Sequence, residues 1–276
     1  MEDFIINEIN DSLEKIENKF GTAYVFDSNT YWGDVITQAI SSDNIFPFYQ
    51  NIVDKNNNIV KYEALMRLKR VNEKGEEEIL TPDKFLEMSK KTHQYHALTT
   101  IMLDKVFEKM EKEDMGFCIN ISLLDIVNDM FLFNLKLLVK RYHKCQMELF
   151  NKVNPICLEI IEDNYIRDYD LLNEFILNFQ DYNIDIAIDD FGSGYSNFMN
   201  LIKIKPKYLK LDGSLIKDID TDIEAKIVVA GMLKIAHELK IKTIAEYVHS
   251  KKIFDLLKEM GVDLFQGYFF GKPHLL

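Results

Sequence analysis

Between residues 63 and 266, one short apolar run after another delivers a carboxylate, an amide or a lysine near its end. Glu63 lies in IVKYEALMRL, Asn120 near the end of FCINIS, and Glu159 and Glu162 at the end of ICLEIIED. Asp189 and Asp190 end DIAIDD, Lys210 and Asp212 end YLKLD, Glu246 ends KTIAE, and Gln266 ends VDLFQ. A single acid at the end of a strand is ordinarily a turn or helix cap. Successive runs that deliver polar groups in the same way point instead to one shared rim, where gathered carboxylates repel one another unless cations neutralise them. The donors are oxygens, and no Cys or His pair has a zinc-like spacing, so the expected chemistry is a multinuclear centre for Mg²⁺ or Mn²⁺. The histidines at 93, 96, 143, 237, 249 and 274 show no ligand spacing and read as surface or packing residues.

The elements that must position these groups follow from periodicity. Strands are predicted at 46–53, 59–68, 116–121, 156–161, 185–188, 208–211, 242–246 and 263–267, with helical patterns at 82–91, 98–112, 168–178, 223–239 and 252–260. Alternation of this kind predicts β-α units and a mostly parallel sheet. The first two strands are joined by Asp54-Lys55-Asn56-Asn57-Asn58, too short for a parallel crossover, so that pair is antiparallel. The expected fold is α/β, a TIM-like (β/α)8 barrel with one antiparallel strand, whose functional groups sit where the parallel strands end. Residues 1–44 read as a short N-terminal helical extension, with Ile5, Ile9, Leu13, Ile16 and Phe20 on one face, and residues 45–276 as the barrel domain.

Composition bounds the partners. The chain has 276 residues, 47% of them hydrophobic and 28% charged, the balance of an ordinary globular domain of barrel size. A net charge of −12 works against a nucleic acid polymer, whose affinity comes from Lys and Arg on phosphates. A small phosphate ligand is compatible with that charge if bound metal ions invert the local field. Cys118, Cys145 and Cys157 form no CxxC pair and read as reduced core thiols. The acidic start MEDFIINEIN lacks a signal-peptide pattern, and no apolar run is long enough to insert in a membrane, so the expectation is a cytoplasmic protein.

The motifs together resemble the EAL domains, phosphodiesterases of bacterial cyclic di-GMP signalling. The resemblance is carried by Tyr62-Glu63-Ala64-Leu65-Met66-Arg67, Asn120-Ile121-Ser122, Leu158-Glu159-Ile160-Ile161-Glu162, the DDFGSGYS segment beginning at Asp189, Leu209-Lys210-Leu211-Asp212, Ala245-Glu246, and Gln266-Gly267-Tyr268 with Pro273, in the family order over about residues 45 to 273. It implies that Glu63, Asn120, Glu159 and Asp189 bind one divalent cation and that Asp189, Asp190 and Glu246 bind a second. It further implies that Lys210 and Glu246 are catalytic, that Gln50, Leu65, Arg67, Asp212, Gln266, Tyr268 and Pro273 contact substrate, and that Glu162 anchors the DFGSGYS loop. The implied reaction opens cyclic di-GMP to linear pGpG, and the implied assembly is a homodimer. The sequence departs from the family pattern at Asn51, Ile161, Ser193, Tyr247 and His249. The last two stand where the family has Gly and a second Glu beside Glu246, which keeps open a receptor that binds cyclic di-GMP without cleaving it. An unrelated metal-dependent barrel hydrolase would require the ordered motifs to be coincidence.

Overall fold

The computed structural model describes residues 28–72, 74–161, 169–192 and 198–276. Among the described residues nine strands form one sheet: β1 (Ile45–Asp54), β2 (Ile59–Val71), β3 (Glu77–Leu80), β4 (Gly116–Ile121), β5 (Ile156–Ile161), β6 (Ile184–Phe191), β7 (Tyr208–Leu211), β8 (Lys242–Ala245) and β9 (Leu264–Gln266). The order β1-β9-β8-β7-β6-β5-β4-β2, closed by pairing of β1 with β2, makes an eight-stranded barrel, and β3 lies outside it on β2. Strand β1 runs antiparallel to both its neighbours, β2 and β9, whereas the pairs from β2 through β9 around the rest of the barrel are parallel. The reversal comes from the tight turn, which Asp54 stabilises by accepting hydrogen bonds from the backbone N–H groups of Asn56 (2.8 Å) and Asn58 (2.9 Å).

Helices cover the barrel: α1 (Ser28–Ser41), α2 (Pro82–Lys91), α3 (Tyr95–Met110), the one-turn α4 (Leu123–Ile126), α5 (Asp129–Phe150), α6 (Tyr169–Phe179), α7 (Phe198–Ile204), the one-turn α8 (Gly213–Ile216), α9 (Ile223–Glu238) and α10 (Lys251–Met260). The periodicity reading named neither α5 nor β3. Helix α5 buries Phe131, Leu135, Leu138, Val139 and Tyr142 at helical spacing, but Met130, Phe133 and Leu137 on its other face are also apolar and exposed, which blurs the pattern. Strand β3 is four residues long and half acidic, a composition that suits a protected edge more than a core strand. Helix α1 lies within the first 44 residues and packs on α2 and β2, burying Ile36 and Ala39. The helical periodicity expected over Ile5 to Phe20 lies outside the described residues.

Side chains alternate in and out along each strand, so the barrel interior is stacked in levels. One level is a small cluster of Ile52, Cys118, Cys157, Ala187, Tyr208 and Ile244. Two residues further toward the parallel strands' C-terminal ends, on the same face, come Glu63, Asn120, Glu159, Asp189, Lys210 and Glu246; Gln50 on the reversed β1 and Gln266 on β9 join them. No helix among the described residues is long and apolar enough to cross a membrane.

Candidate metal centre at the barrel rim

Lys210 is the hub of the polar level. Its ammonium, 1% exposed, lies 2.7 Å from Glu159 Oε2, 2.8 Å from Glu246 Oε1, 3.0 Å from Asp189 Oδ1 and 3.5 Å from Glu63 Oε2. Burial works against its charge, and the carboxylates outweigh that and hold its pKa well above the ordinary lysine value. One cation does not satisfy so many acids. Burial pushes Glu159 well above the usual carboxylate range, with the charges of Glu63 and Asp189 adding to the rise. Burial also raises Glu246 to about 8, with Asp189 and Glu63 adding to it against the pull of Lys210. Asp190 rises to about 6 through burial and the neighbouring Asp189. Glu63 is held low: burial opposes its charge, but Lys210, Gln266 and Asn120 outweigh it.

The donor geometry suits divalent cations. Glu63, Glu159 and Asp189 each offer an oxygen, and these lie within 4.8 Å of one another; Asp189, Asp190 and Glu246 do the same, so Asp189 belongs to both groups. Glu159 Oε1 is buried without a hydrogen-bond partner, which is costly unless a cation meets it. Asn120 Nδ2 donates to Glu63 Oε1 at 2.8 Å, which leaves the amide oxygen of Asn120 as a candidate ligand.

Local backbone aims these groups. The register of β6 against β7 slips between Ile188 and Phe191, an irregularity of the kind that redirects side chains beside active sites. Asp190 follows with φ 54° and its N–H donates to Asp189 Oδ1 at 3.0 Å. Tyr247, next to Glu246, has φ 55°. The left-handed region is uncommon for a bulky side chain, and such strain concentrates at functional sites.

The residues expected around substrate fall into two sets. Gln266 Nε2 donates to Glu63 Oε2 at 2.5 Å and to Gln50 Oε1 at 3.1 Å, so both amides join the carboxylate network. The others border it. Arg67 lies in the field of Tyr268 and Glu63, its guanidinium 5.3 Å from the Phe48 ring centroid, and donates to its neighbour's carbonyl, Met66 O, at 2.7 Å. Asp212 caps α8 by accepting from Ser214 N at 2.9 Å and lies in the field of Asp190. Leu65 and Pro273 are half-buried and Tyr268 is exposed. Asn51 Nδ2 donates to Phe270 O at 3.0 Å, tying the C-terminal segment to β1. Glu162 and residues 193–197 lie outside the described residues.

Sequence reasoning took Cys118 and Cys157 as packing and gave Lys61 no role. The structure buries both thiols inside the barrel beside Glu159 and buries Lys61 with its ammonium over the Tyr208 ring at 3.7 Å. The period-two spacing Lys61–Glu63, Cys118–Asn120 and Cys157–Glu159 was the available signal.

A family model described as "EAL domain" matches residues 34–273. The cyclic di-GMP phosphodiesterase PdeF of Escherichia coli K12 is 26% identical over 87% of this chain and 31% of its own length. The chain thus spans less than a third of the length of that curated relative. Among solved structures, an EAL domain protein from Listeria monocytogenes is 25% identical with a TM-score of 0.74, covering 91% of this chain and 95% of its own. The PaMucR phosphodiesterase in complex with c-di-GMP superposes with a TM-score of 0.78 at 23% identity, over 88% of this chain and 97% of the other.

Proposed function

This chain belongs to the EAL domain family, and on that premise we propose that it hydrolyses cyclic di-GMP to linear pGpG. The observation that carries the reading is the pair of carboxylate groups sharing Asp189, with one buried Glu159 oxygen unpartnered. In this reading Glu63, Asn120, Glu159 and Asp189 hold one divalent cation, Mg²⁺ or Mn²⁺, and Asp189, Asp190 and Glu246 hold a second. Two such cations supply Lewis-acid polarisation and an activated water for in-line displacement at phosphorus.

The chain's own residues do the rest. Lys210, fixed by four carboxylates, orients the attacking water and donates to phosphoryl oxygens as charge develops on them. Glu246, at the mouth of the site, assists in taking up the water's proton. Arg67 offers a planar donor fork to a phosphate, and Gln50, Leu65, Asp212, Gln266, Tyr268 and Pro273 shape the guanine and sugar contacts. A cytoplasmic homodimer completes the reading, supported by the free cysteines and by exposed Met199, Ile202, Ile223 and Ile227 on α7 and α9.

A second reading, a receptor that binds without cleaving, is favoured by one observation, the exposed Tyr247 in a left-handed conformation directly after Glu246. Chromatography of cyclic di-GMP incubated with the protein and Mg²⁺ or Mn²⁺ separates the two. Formation of pGpG that disappears in Glu63→Ala supports the enzyme, whereas tight binding without product makes the chain a receptor.

A further inference from the structure

The barrel holds a second donor group, which shares only Glu159 with the reading above. Cys118 on β4 and Cys157 on β5 are register partners and both are fully buried. Their sulfurs and a carboxylate oxygen of Glu159 lie within 4.8 Å of one another. Glu159 Oε2 receives Lys210, while Oε1 is buried with no hydrogen-bond partner. Two thiols and one carboxylate form a softer set than the oxygen donors of the rim, and softness is what separates zinc-like ions from magnesium.

Lys61 supplies an independent observation. It is 4% exposed, its ammonium has no hydrogen-bond partner, and it feels the Cys118 and Cys157 thiols and Tyr208, over whose ring it lies. A buried ammonium calls for an anionic partner. A dication held by two thiolates and a carboxylate is a unit of single negative charge, which Lys61 would balance.

We propose that Cys118, Cys157 and Glu159 form a site for a thiophilic dication such as Zn²⁺ or Cd²⁺, with Lys61 as its counter-charge. Filling it breaks two S–H bonds, forms two metal–sulfur bonds and one metal–oxygen bond to Glu159, and releases the two thiol protons to solvent, with no change of oxidation state. Three protein ligands leave one position of a tetrahedral ion open. Glu159 is shared with the rim, so occupation withdraws it from the hard cations; this second part rests on the two-cation reading above.

The test is titration of the full chain with Cd²⁺, followed by the thiolate-to-cadmium charge-transfer absorption in the ultraviolet. That band reports sulfur ligation whether or not the protein hydrolyses anything, so its failure is distinguishable from failure of the phosphodiesterase reading. The band is expected to saturate at one equivalent in the unaltered chain and in Cys145→Ala, and to persist in excess Mg²⁺. Cys118→Ala and Cys157→Ala are each expected to weaken cadmium binding by about tenfold or more. The chain has three cysteines, so a band in Cys145→Ala can arise only from Cys118 and Cys157, which decides the matter even if the buried variants fail to fold. No band in the unaltered chain, or a band lost in Cys145→Ala, overturns the proposal. If the band forms while turnover in saturating Mg²⁺ is unaffected, the withdrawal of Glu159 is wrong.

Discussion

The two neighbouring levels of the barrel interior are built by the same strands and obey opposite rules. In the lower one, Ile52, Ala187, Tyr208 and Ile244 pack with the two thiols, and stability comes from apolar area and close fit. In the upper one, acids crowd the Lys210 ammonium, and burial pushes Glu159 and Glu246 above the usual carboxylate range. A step of two residues along a strand thus changes a site that stabilises the fold into one that stores electrostatic conflict. The difference teaches how the two chemistries were divided: the lower level is apolar apart from the two thiols and the buried Lys61, and the upper level gathers the carboxylates for cations to meet.

Substitutions can break that contrast. The largest effect is expected for Lys210→Ala, which removes the ammonium facing Glu63, Glu159, Asp189 and Glu246. Breaking a buried pair costs roughly 3–5 kcal/mol, so metal-free protein should melt far lower than the unaltered chain, and millimolar Mg²⁺ should restore much of the difference. A loss that Mg²⁺ does not reduce would mean the upper level is structural after all. Ile244→Ala, one level down, should cost roughly 2–5 kcal/mol through its cavity in denaturant melts. Its turnover, measured where it remains folded, should stay within a few-fold of the unaltered chain.

Acid titration sharpens the same contrast. With Asp190 raised to about 6 and Glu246 to about 8, both bind protons in the cation-free protein at pH values where ordinary carboxylates have lost them. Cations must displace those protons, so affinity for Mn²⁺ should rise with pH from 5 to 9 and binding should release protons. Calorimetry in buffers of different ionisation heat reads the release directly. Affinity independent of pH over that window would place the cation away from Asp190 and Glu246.

Much of this was legible before any coordinates. Barrel alternation projects onto sequence as a polar residue at the end of each apolar run, so Glu63, Asn120, Glu159, Asp189, Asp190, Lys210, Asp212, Glu246 and Gln266 could be placed on one rim, while the division into metal ligands came from the EAL resemblance; the short turn at Asp54–Asn58 showed that the first two strands are antiparallel. Other features leave no such trace. The register slip between Ile188 and Phe191 depends on how β6 meets β7, and the burial of Lys61 depends on Tyr208, far along the chain, supplying its ring. Helix α5 hid because its exposed face also carries Met130, Phe133, Leu137, Met147 and Leu149 among its charges.

The smallest expected effect probes the strained corner between the levels' chemistry and the surface. Tyr247 is largely exposed with φ 55°, and a left-handed residue costs about 1–2 kcal/mol when it has a side chain. Little ring burial offsets that, so Tyr247→Gly should raise the stability of the cation-free protein by about 1 kcal/mol, less the entropy that glycine adds to the unfolded chain. Gly213 offers an internal check. A Cβ added there would sit 2.9 Å from Tyr247 Cβ, so Gly213→Ala should destabilise the unaltered chain and be tolerated once Tyr247 is glycine. Additive effects in that double-mutant cycle would show that the two residues do not press on each other. Coupling, accompanied by faster turnover in Tyr247→Gly, would identify the Tyr247 side chain as a brake on the carboxylate beside it.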